Sequence, residues 1–104
     1  MIAVTPIFSG SYNGLFKTFF DILPDDALAG TPVLIAATAG TARHSLALEH
    51  ALRPQFSYLR AVVMPTAVFA AAQDWGAGAP EDPLGIRVDR AAGELAALVA
   101  AREP

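Results

Sequence analysis

Small and hydrogen-bonding residues are concentrated in two short segments of the chain, residues 5–13 and 38–41. The first segment combines Gly10, two serines and an asparagine with the aromatic side chains of Phe8 and Tyr12. Aromatic faces can stack on a planar ring while amides and hydroxyls bond to its edge. The second segment contains Gly40, where a ligand can approach the main chain closely because no side chain blocks it. Together the two segments favour a site for a flat heteroaromatic ligand.

Both segments also have structural interpretations that involve no ligand. Loops rich in glycine and serine are common turns between a strand and a helix. The rings of Phe8 and Tyr12 could equally cover the core, and His44 could cap a helix or lie on the surface. Trp75, in a long loop, could anchor that loop or lie at a subunit contact. These interpretations stay open on the residues alone.

Other kinds of chemistry find little support in the sequence. The chain has no cysteine, which excludes disulfides, thiolate metal sites and cysteine nucleophiles. The glycine spacings of the nucleotide-binding fingerprints are absent, and so is the Gly-x-Ser-x-Gly pattern of a nucleophilic serine. His44 and His50 are six residues apart without an acidic partner at metal-ligand spacing. We therefore expect neither a hydrolase nor a metalloprotein.

Alternating strand and helix patterns must position the two segments. Short apolar runs closed by turn residues are typical of parallel strands buried on both faces; they occur at residues 2–4, 33–37 and 61–65, with a continuation at 68–70. Apolar residues at three- and four-residue steps predict helices at 15–23, 42–59 and 84–101, and Pro54 should kink or restart the second. Residues 71–83 are predicted to form a long loop. The order β-α-β-α-β-α favours an α/β fold with right-handed crossovers.

The same spacing predicts which side chains of each helix face the core. In the first helix these are Leu15, Phe16, Phe19, Phe20 and Leu23, with Asn13 or Ser11 as the N-cap. In the second they are His44, Leu48, Ala51, Leu52, Phe56 and Leu59. In the last they are Ile86, Ala91, Leu95, Leu98 and Val99.

Composition limits the class of protein and its partners. The chain has 104 residues, of which 54% are hydrophobic and 16% charged, so we expect a single domain with its own core. The net charge of −3 and the scattered basic residues argue against binding to nucleic acid or an anionic membrane. No apolar stretch approaches the roughly 20 residues of a membrane helix, and no signal-peptide pattern is present. These observations predict a cytoplasmic protein.

Residues 5–17 resemble a characteristic stretch of the flavodoxin-like NAD(P)H-dependent FMN reductases. The family pattern there is Thr-Pro-x-aromatic-x-x-Ser-Tyr-x-Gly-x-x-Lys, and this chain reads TPIFSGSYNGLFK. A second match runs from residues 30–33 into Thr38-Ala39-Gly40-Thr41 and His44, where the family has a Thr-Gly-Gly-Ser-like loop and a histidine. Residues 51–54 and 68–75 match less specifically.

The resemblance implies a flavodoxin-like three-layer α/β fold and FMN bound against the two segments. The flavin would be lined by Thr5, Pro6, Ile7, Phe8, Ser11, Tyr12 and Asn13 on one side, and by Thr38, Ala39 and Gly40, with His44 nearby, on the other. The family transfers hydride from NAD(P)H through FMN to a free flavin, quinone or similar acceptor, and the cofactor carries the chemistry. Such proteins are dimers or tetramers with flavin sites near subunit contacts.

One departure from the family concerns the start of the domain. The family begins with a strand and a Ser/Gly/Arg loop that holds the FMN phosphate, then a second strand, and nothing here matches that region. Residues 1–104 therefore resemble the C-terminal part of one incomplete domain, and residues 2–4 should form an exposed apolar edge strand. A truncated gene product, a natural fragment completed by a partner, and a degenerate half-domain are all possible; we expect the first. Ala39, where glycine is common, should restrict its loop slightly.

Two other functional classes remain as alternatives. A non-catalytic flavodoxin-like module could associate with a partner through its exposed edge strand. An electron-transfer flavoprotein is less consistent with the sequence, because no dense acidic surface is present to steer redox partners.

Overall fold

A mostly parallel sheet forms the middle layer of the computed structural model, which describes residues 1–41, 46–75 and 83–102. Its strands are β1 (Ile2–Phe8), β2 (Ser11–Tyr12), β3 (Pro32–Ala39), β4 (Val62–Val63) and β5 (Val68–Ala71). The central strand is β3, with β1 parallel to it on one side. On the other side β4 and then β5 pair with β3 in parallel, as predicted for a strand that resumes after an interruption.

Helices cover both faces of this sheet. They are α1 (Gly14–Asp21), α2 (Arg53–Tyr58) and α3 (Pro83–Arg102). Alternate residues of β3 point to opposite layers: Val33 and Ile35 join the core beneath α1 and α2, whereas Leu34 and Ala36 pack against Ala91 of α3. The predicted three-layer α/β arrangement is therefore confirmed. No helix among the described residues combines the length and apolar character needed to cross a bilayer.

The first strand is longer than the sequence predicts. Pairing continues to Phe8, where a tight hairpin turns into β2 with Phe8 opposite Ser11. Ser9 and Gly10 have φ angles of 51° and 77°, as a two-residue type I′ turn requires. The prediction that the strand stops at Thr5 was wrong, because proline is tolerated within an edge strand and Pro6 continues the ladder opposite Thr38.

Within the described parts of the chain, the edge of the sheet beside β1 is open over most of its length. β2 pairs only with the last two residues of β1, and the side chains of Ile2 and Val4 are 62% and 54% exposed. The predicted exposed apolar edge is confirmed.

Pro54 marks a change of helix type, as predicted. Leu48–Leu52 forms a π-helical turn, and the Arg53 amide accordingly bonds to the carbonyl of Leu48, five residues earlier. The regular helix α2 begins immediately afterwards, with Pro54 in its first turn, where no intrahelical donor is needed. Four of the predicted inward residues are buried, namely Leu48, Leu52, Phe56 and Leu59. Residues 42–45 of the predicted helix, with His44, lie outside the described residues.

Two helices bury a narrower face than their apolar spacing predicts. In α1, Phe20 is buried and Phe16 packs on the core, as does Leu23 just after the helix, but Leu15 and Phe19 are exposed. In α3, Ala91, Leu95 and Leu98 face the sheet as predicted, whereas Ile86 and Val99 are exposed. The predictions for these four side chains were wrong, because spacing identifies apolar residues without telling which of two adjacent stripes meets the sheet.

Candidate functional site

The two segments singled out in the sequence meet at one edge of the sheet. Pro6 lies opposite Thr38 in the ladder between β1 and β3, and Thr38 in turn lies opposite Ala70 of β5. This edge carries the carboxyl ends of the parallel strands, which is where ligands bind in open α/β sheets. Neighbouring strands in a sheet are separated by about 5 Å, so one planar ligand can reach both segments.

Tyr12 is the aromatic side chain of the hairpin whose surroundings support stacking. It is half-buried and pairs with Ile7 across the hairpin. Its ring centre lies 5.9 Å from that of Phe16, and Phe16 contacts Phe20 and Phe56 at 4.8 and 6.1 Å. The core therefore supports Tyr12 from behind while part of the residue stays accessible, as a stacking platform requires.

Asn13 joins the hairpin to the following helix. Its side-chain Oδ1 accepts a hydrogen bond of 2.7 Å from the Phe16 amide, which makes it the N-cap of α1 as predicted. Its carbonyl accepts from the Lys17 amide at 3.1 Å. The oxygen of the side-chain amide is therefore already used. Its nitrogen, Nδ2, has no partner among the described residues, and as an NH₂ group it can only donate.

The second segment presents accessible main chain. Thr38 and Gly40 are exposed, and Ala39 and Thr41 are half-buried. Among the described residues, a Cβ atom built on Gly40 would meet no atom within 4 Å. Ala39 is held by pairing with Ala71 of β5. As far as the described residues go, a ligand could therefore reach the main chain at Gly40 without displacing a side chain.

The remaining predicted site residues are placed differently. Thr5 and Ile7 have buried side chains, with exposures of 0% and 8%, so a ligand could meet only their main chain. Pro6 is exposed and Ser11 is half-buried beside the hairpin turn. Phe8 ends β1 opposite Ser11, and His44 lies outside the described residues.

The end of β5 is fixed by an interaction that the sequence analysis missed. The Asp74 carboxylate accepts a hydrogen bond of 2.7 Å from the Ala71 amide. An aspartate three residues after a strand end, within a short 3₁₀ turn, is the local signal that indicates such a contact. It holds the strand end that pairs with Ala39.

Charge on the described residues contributes little to the site. Lys17, the basic residue of the first motif, pairs with Asp21 one turn later on α1, and this hydrogen bond raises the pKa of Lys17. Within the described residues no cluster of three or more acidic, histidine or cysteine side chains is arranged to hold a metal. The groups available at the strand ends are thus an aromatic ring, hydroxyls, amide donors and open main chain, which fit a neutral planar ring.

Known proteins resemble the chain across this region and beyond it. Residues 1–76 match the family model described as NADPH-dependent FMN reductase. A Pseudomonas aeruginosa protein described as FMN reductase (NADPH) is 42% identical over 103 residues, which cover 98% of this chain and 55% of that protein. The NADH-dependent FMN reductase SfnE of Pseudomonas putida is 51% identical over 70 residues, covering 67% of this chain and 38% of SfnE.

Solved structures agree with these matches. An oxidoreductase from Corynebacterium diphtheriae superposes with a TM-score of 0.92 at 58% identity, covering 98% of this chain and 56% of that one. The apo form of the NADH:FMN oxidoreductase EMOB superposes with a TM-score of 0.76 at 32% identity, covering 99% of this chain and 54% of that one. The chain spans about half the length of the relatives that match nearly all of it. By its sequence and its fold, the chain belongs to the NADPH-dependent FMN reductase family.

Proposed function

We propose that this chain provides the flavin-ring side of an NAD(P)H-dependent FMN reductase that reduces a free flavin or a quinone-like acceptor. The observation that carries the proposal is the meeting of the two segments at the carboxyl ends of β1 and β3, where Pro6 lies opposite Thr38. FMN, when bound, would supply the redox chemistry between NAD(P)H and the acceptor. The similarity to reductases over residues 1–76 supports this function over a non-catalytic interaction module.

The chain's own residues would bind and orient the flavin. Tyr12, supported by Phe16, offers its ring for stacking, and Asn13 offers its Nδ2 hydrogens to an acceptor on the ring edge. The open main chain at Gly40 would meet the ring from the neighbouring strand end. Pro6, Phe8, Ser11, Thr38 and Ala39, with the main chain of Thr5 and Ile7 and with His44, complete the proposed lining. The groups that the structure describes here are an aromatic ring, a side-chain amide, hydroxyls and main chain, so the role proposed for them is positioning.

Binding of FMN to the full chain tests the proposal directly. Titration followed by quenching of flavin fluorescence should show saturable binding, and riboflavin should bind within about threefold of FMN because the proposed contacts are to the ring. Oxidation of NADPH and of NADH in the presence of FMN then measures activity and the nicotinamide preference. Absence of flavin binding by the wild-type chain would contradict the proposal for this polypeptide.

Asn13→Asp separates the two roles of Asn13. Aspartate caps a helix as well as asparagine does, so α1 should keep its stability. It has no side-chain donor at neutral pH, so FMN affinity should fall about tenfold, the effect of one hydrogen bond. Ala92→Asp, on the exposed face of α3, is the matched control for the added charge and should leave affinity unchanged. Equal affinities of Asn13→Asp and wild type would remove Asn13 from the proposed lining.

We also propose that the protein works in the cytoplasm as a homodimer or homotetramer. The absence of cysteine is consistent with a reducing compartment. Self-association is supported by exposed apolar side chains on α1, next to the proposed flavin site.

A further inference from the structure

Thr5 is the one buried polar side chain among the described residues, and its exposure is 0%. Its neighbours along β1, Val4 and Pro6, are both exposed, because successive side chains of a strand point to opposite faces. A hydroxyl taken out of water needs hydrogen-bond partners, otherwise its burial is costly. The partners of Thr5 therefore indicate why a threonine occupies this position.

Both partners of the Thr5 hydroxyl belong to the site segment. Oγ1 donates to the carbonyl of Pro6 at 2.9 Å and accepts from the amide of Asn13 at 3.3 Å. The second bond spans eight residues and crosses the base of the hairpin. It ties β1 to the residue that caps α1, so Asn13 is held at its amide by Thr5, at Oδ1 by Phe16 and at its carbonyl by Lys17.

We infer that Thr5 is a positioning residue that locks the hairpin to the start of α1 and thereby presents Tyr12 and Asn13 to the flavin ring. The identity of the ligand, a flavin, rests on the proposed function, whereas the lock rests on the hydrogen bonds of Thr5 alone. The buried hydroxyl does not touch the ligand; it acts through the Asn13 main chain. The backbone of Tyr12 is constrained in two ways: Tyr12 pairs with Ile7 across the hairpin, and the next residue, Asn13, is held by Thr5.

Thr5→Val tests the lock because valine has nearly the same shape but no hydroxyl. In the flavin-free variant, the Asn13 amide should exchange its hydrogen at least about tenfold faster than in wild type. The Ile35 amide in the central strand reports global stability, so the increase at Asn13 should exceed any increase at Ile35. FMN should bind about tenfold more weakly, and the visible circular dichroism of bound flavin should decrease because the ring is less fixed. Thr5→Ser keeps the hydroxyl and should restore both measurements to within about threefold of wild type.

Thr66→Val is the matched control. It also removes a threonine hydroxyl from a hydrogen bond, here 2.7 Å to Glu94, at a position away from the carboxyl ends of the strands. This variant should lose stability while its FMN affinity stays that of wild type.

Two outcomes would overturn the inference. Unchanged Asn13 exchange in Thr5→Val would show that no lock exists. Lower stability with unchanged FMN affinity and dichroism would show that Thr5 is structural only. A wild-type chain that does not bind FMN would instead sink the proposed function, while the exchange of Asn13 would still decide whether the lock exists.

Discussion

Arg60, two residues after the end of α2, has a backbone conformation that arginine rarely adopts. Its φ angle is 62°, its amide bonds to the Ser57 carbonyl, and the next amide, of Ala61, bonds to the Phe56 carbonyl. These two bonds form a Schellman motif, in which the left-handed position usually holds glycine. The Arg60 carbonyl also accepts from the Gly30 amide at 2.8 Å, so this turn joins α2 to the start of β3.

Arg60→Gly should therefore stabilise the protein. Relief of the left-handed strain, about 1–2 kcal/mol, exceeds the extra entropy that glycine loses on folding, about 0.5–1 kcal/mol. We expect the free energy of unfolding to rise by about 0.5–1 kcal/mol, measured by urea denaturation. Arg60→Ala is the control, since it removes the same side chain but keeps a Cβ atom. An equal gain in both variants would mean that the arginine side chain, rather than its backbone angle, is unfavourable.

At the scale of single residues, sequence reasoning succeeds where the cause is local. Residue type and helix start limited the N-cap of α1 to Asn13 or Ser11, and the structure shows that it is Asn13. The burial of Thr5 could not be predicted, because it depends on β1 continuing through Pro6 and on a hydrogen bond to a residue eight positions later. The left-handed angle of Arg60 has no signal in its residue type.

Between β4 and β5 the chain leaves the sheet ladder, and charged side chains from two helices replace the missing hydrogen bonds. Arg53 of α2 donates to the carbonyls of Met64 and Pro65 at 3.1 and 3.3 Å. On the opposite face, Arg87 of α3 donates to the Ala67 carbonyl at 2.6 Å. Glu94 of α3 accepts from both the amide and the hydroxyl of Thr66, at 2.9 and 2.7 Å. These contacts hold the segment that leads from β4 to β5 between the two helices.

The Glu94 contact should make stability depend on pH. The hydrogen bonds from Thr66 lower the pKa of Glu94, with smaller help from Arg90 and Arg87. A carboxyl group whose pKa is lower in the folded state stabilises the protein above its unfolded-state pKa, and this contribution is lost as pH falls through the folded-state pKa. Wild type should therefore melt at a higher temperature than Glu94→Gln near neutral pH, and the difference should shrink on acidification. Thermal melts at several pH values measure it.

Other carboxylates also titrate in this range, so only the difference between the two proteins is informative. Thr66→Val provides the control, because it removes the hydroxyl bond that lowers the pKa of Glu94 most while keeping the main-chain amide bond, so it should flatten the profile in part. A constant gap between wild type and Glu94→Gln at all pH values would contradict the assignment. The element-level contacts themselves were beyond sequence reasoning, since they join residues 11 to 28 positions apart.

At the scale of the whole molecule, the alternation of apolar runs and helical periods predicted the layer order correctly. Buried strands such as residues 33–37 are recognised by their continuous apolar character, and the structure buries all five. Which surfaces remain open was predicted only in part. The exposed edge at Ile2 and Val4 was expected, but the exposure of Leu15 and Phe19 was not, because a helix with two apolar stripes has the same spacing whichever stripe is buried.

The apolar side chains of α1 that face away from the core predict how copies of the chain associate. Leu15, Phe19 and Ile22 follow one another at four- and three-residue steps and are 82%, 52% and 74% exposed. Such a contiguous apolar surface marks an interaction site more often than scattered apolar residues do. We expect light scattering after gel filtration to give at least twice the 10.8 kDa of one chain, and Phe19→Lys to give one chain. Val4→Lys places the same charge on the open edge of β1, where lysine blocks strand pairing. A monomeric wild type would contradict self-association. Dissociation by Val4→Lys alone would assign the contact to the sheet edge. Retention of the oligomer in Val4→Lys and its loss in Phe19→Lys would place the contact on α1, the helix that Asn13 caps beside the proposed flavin site.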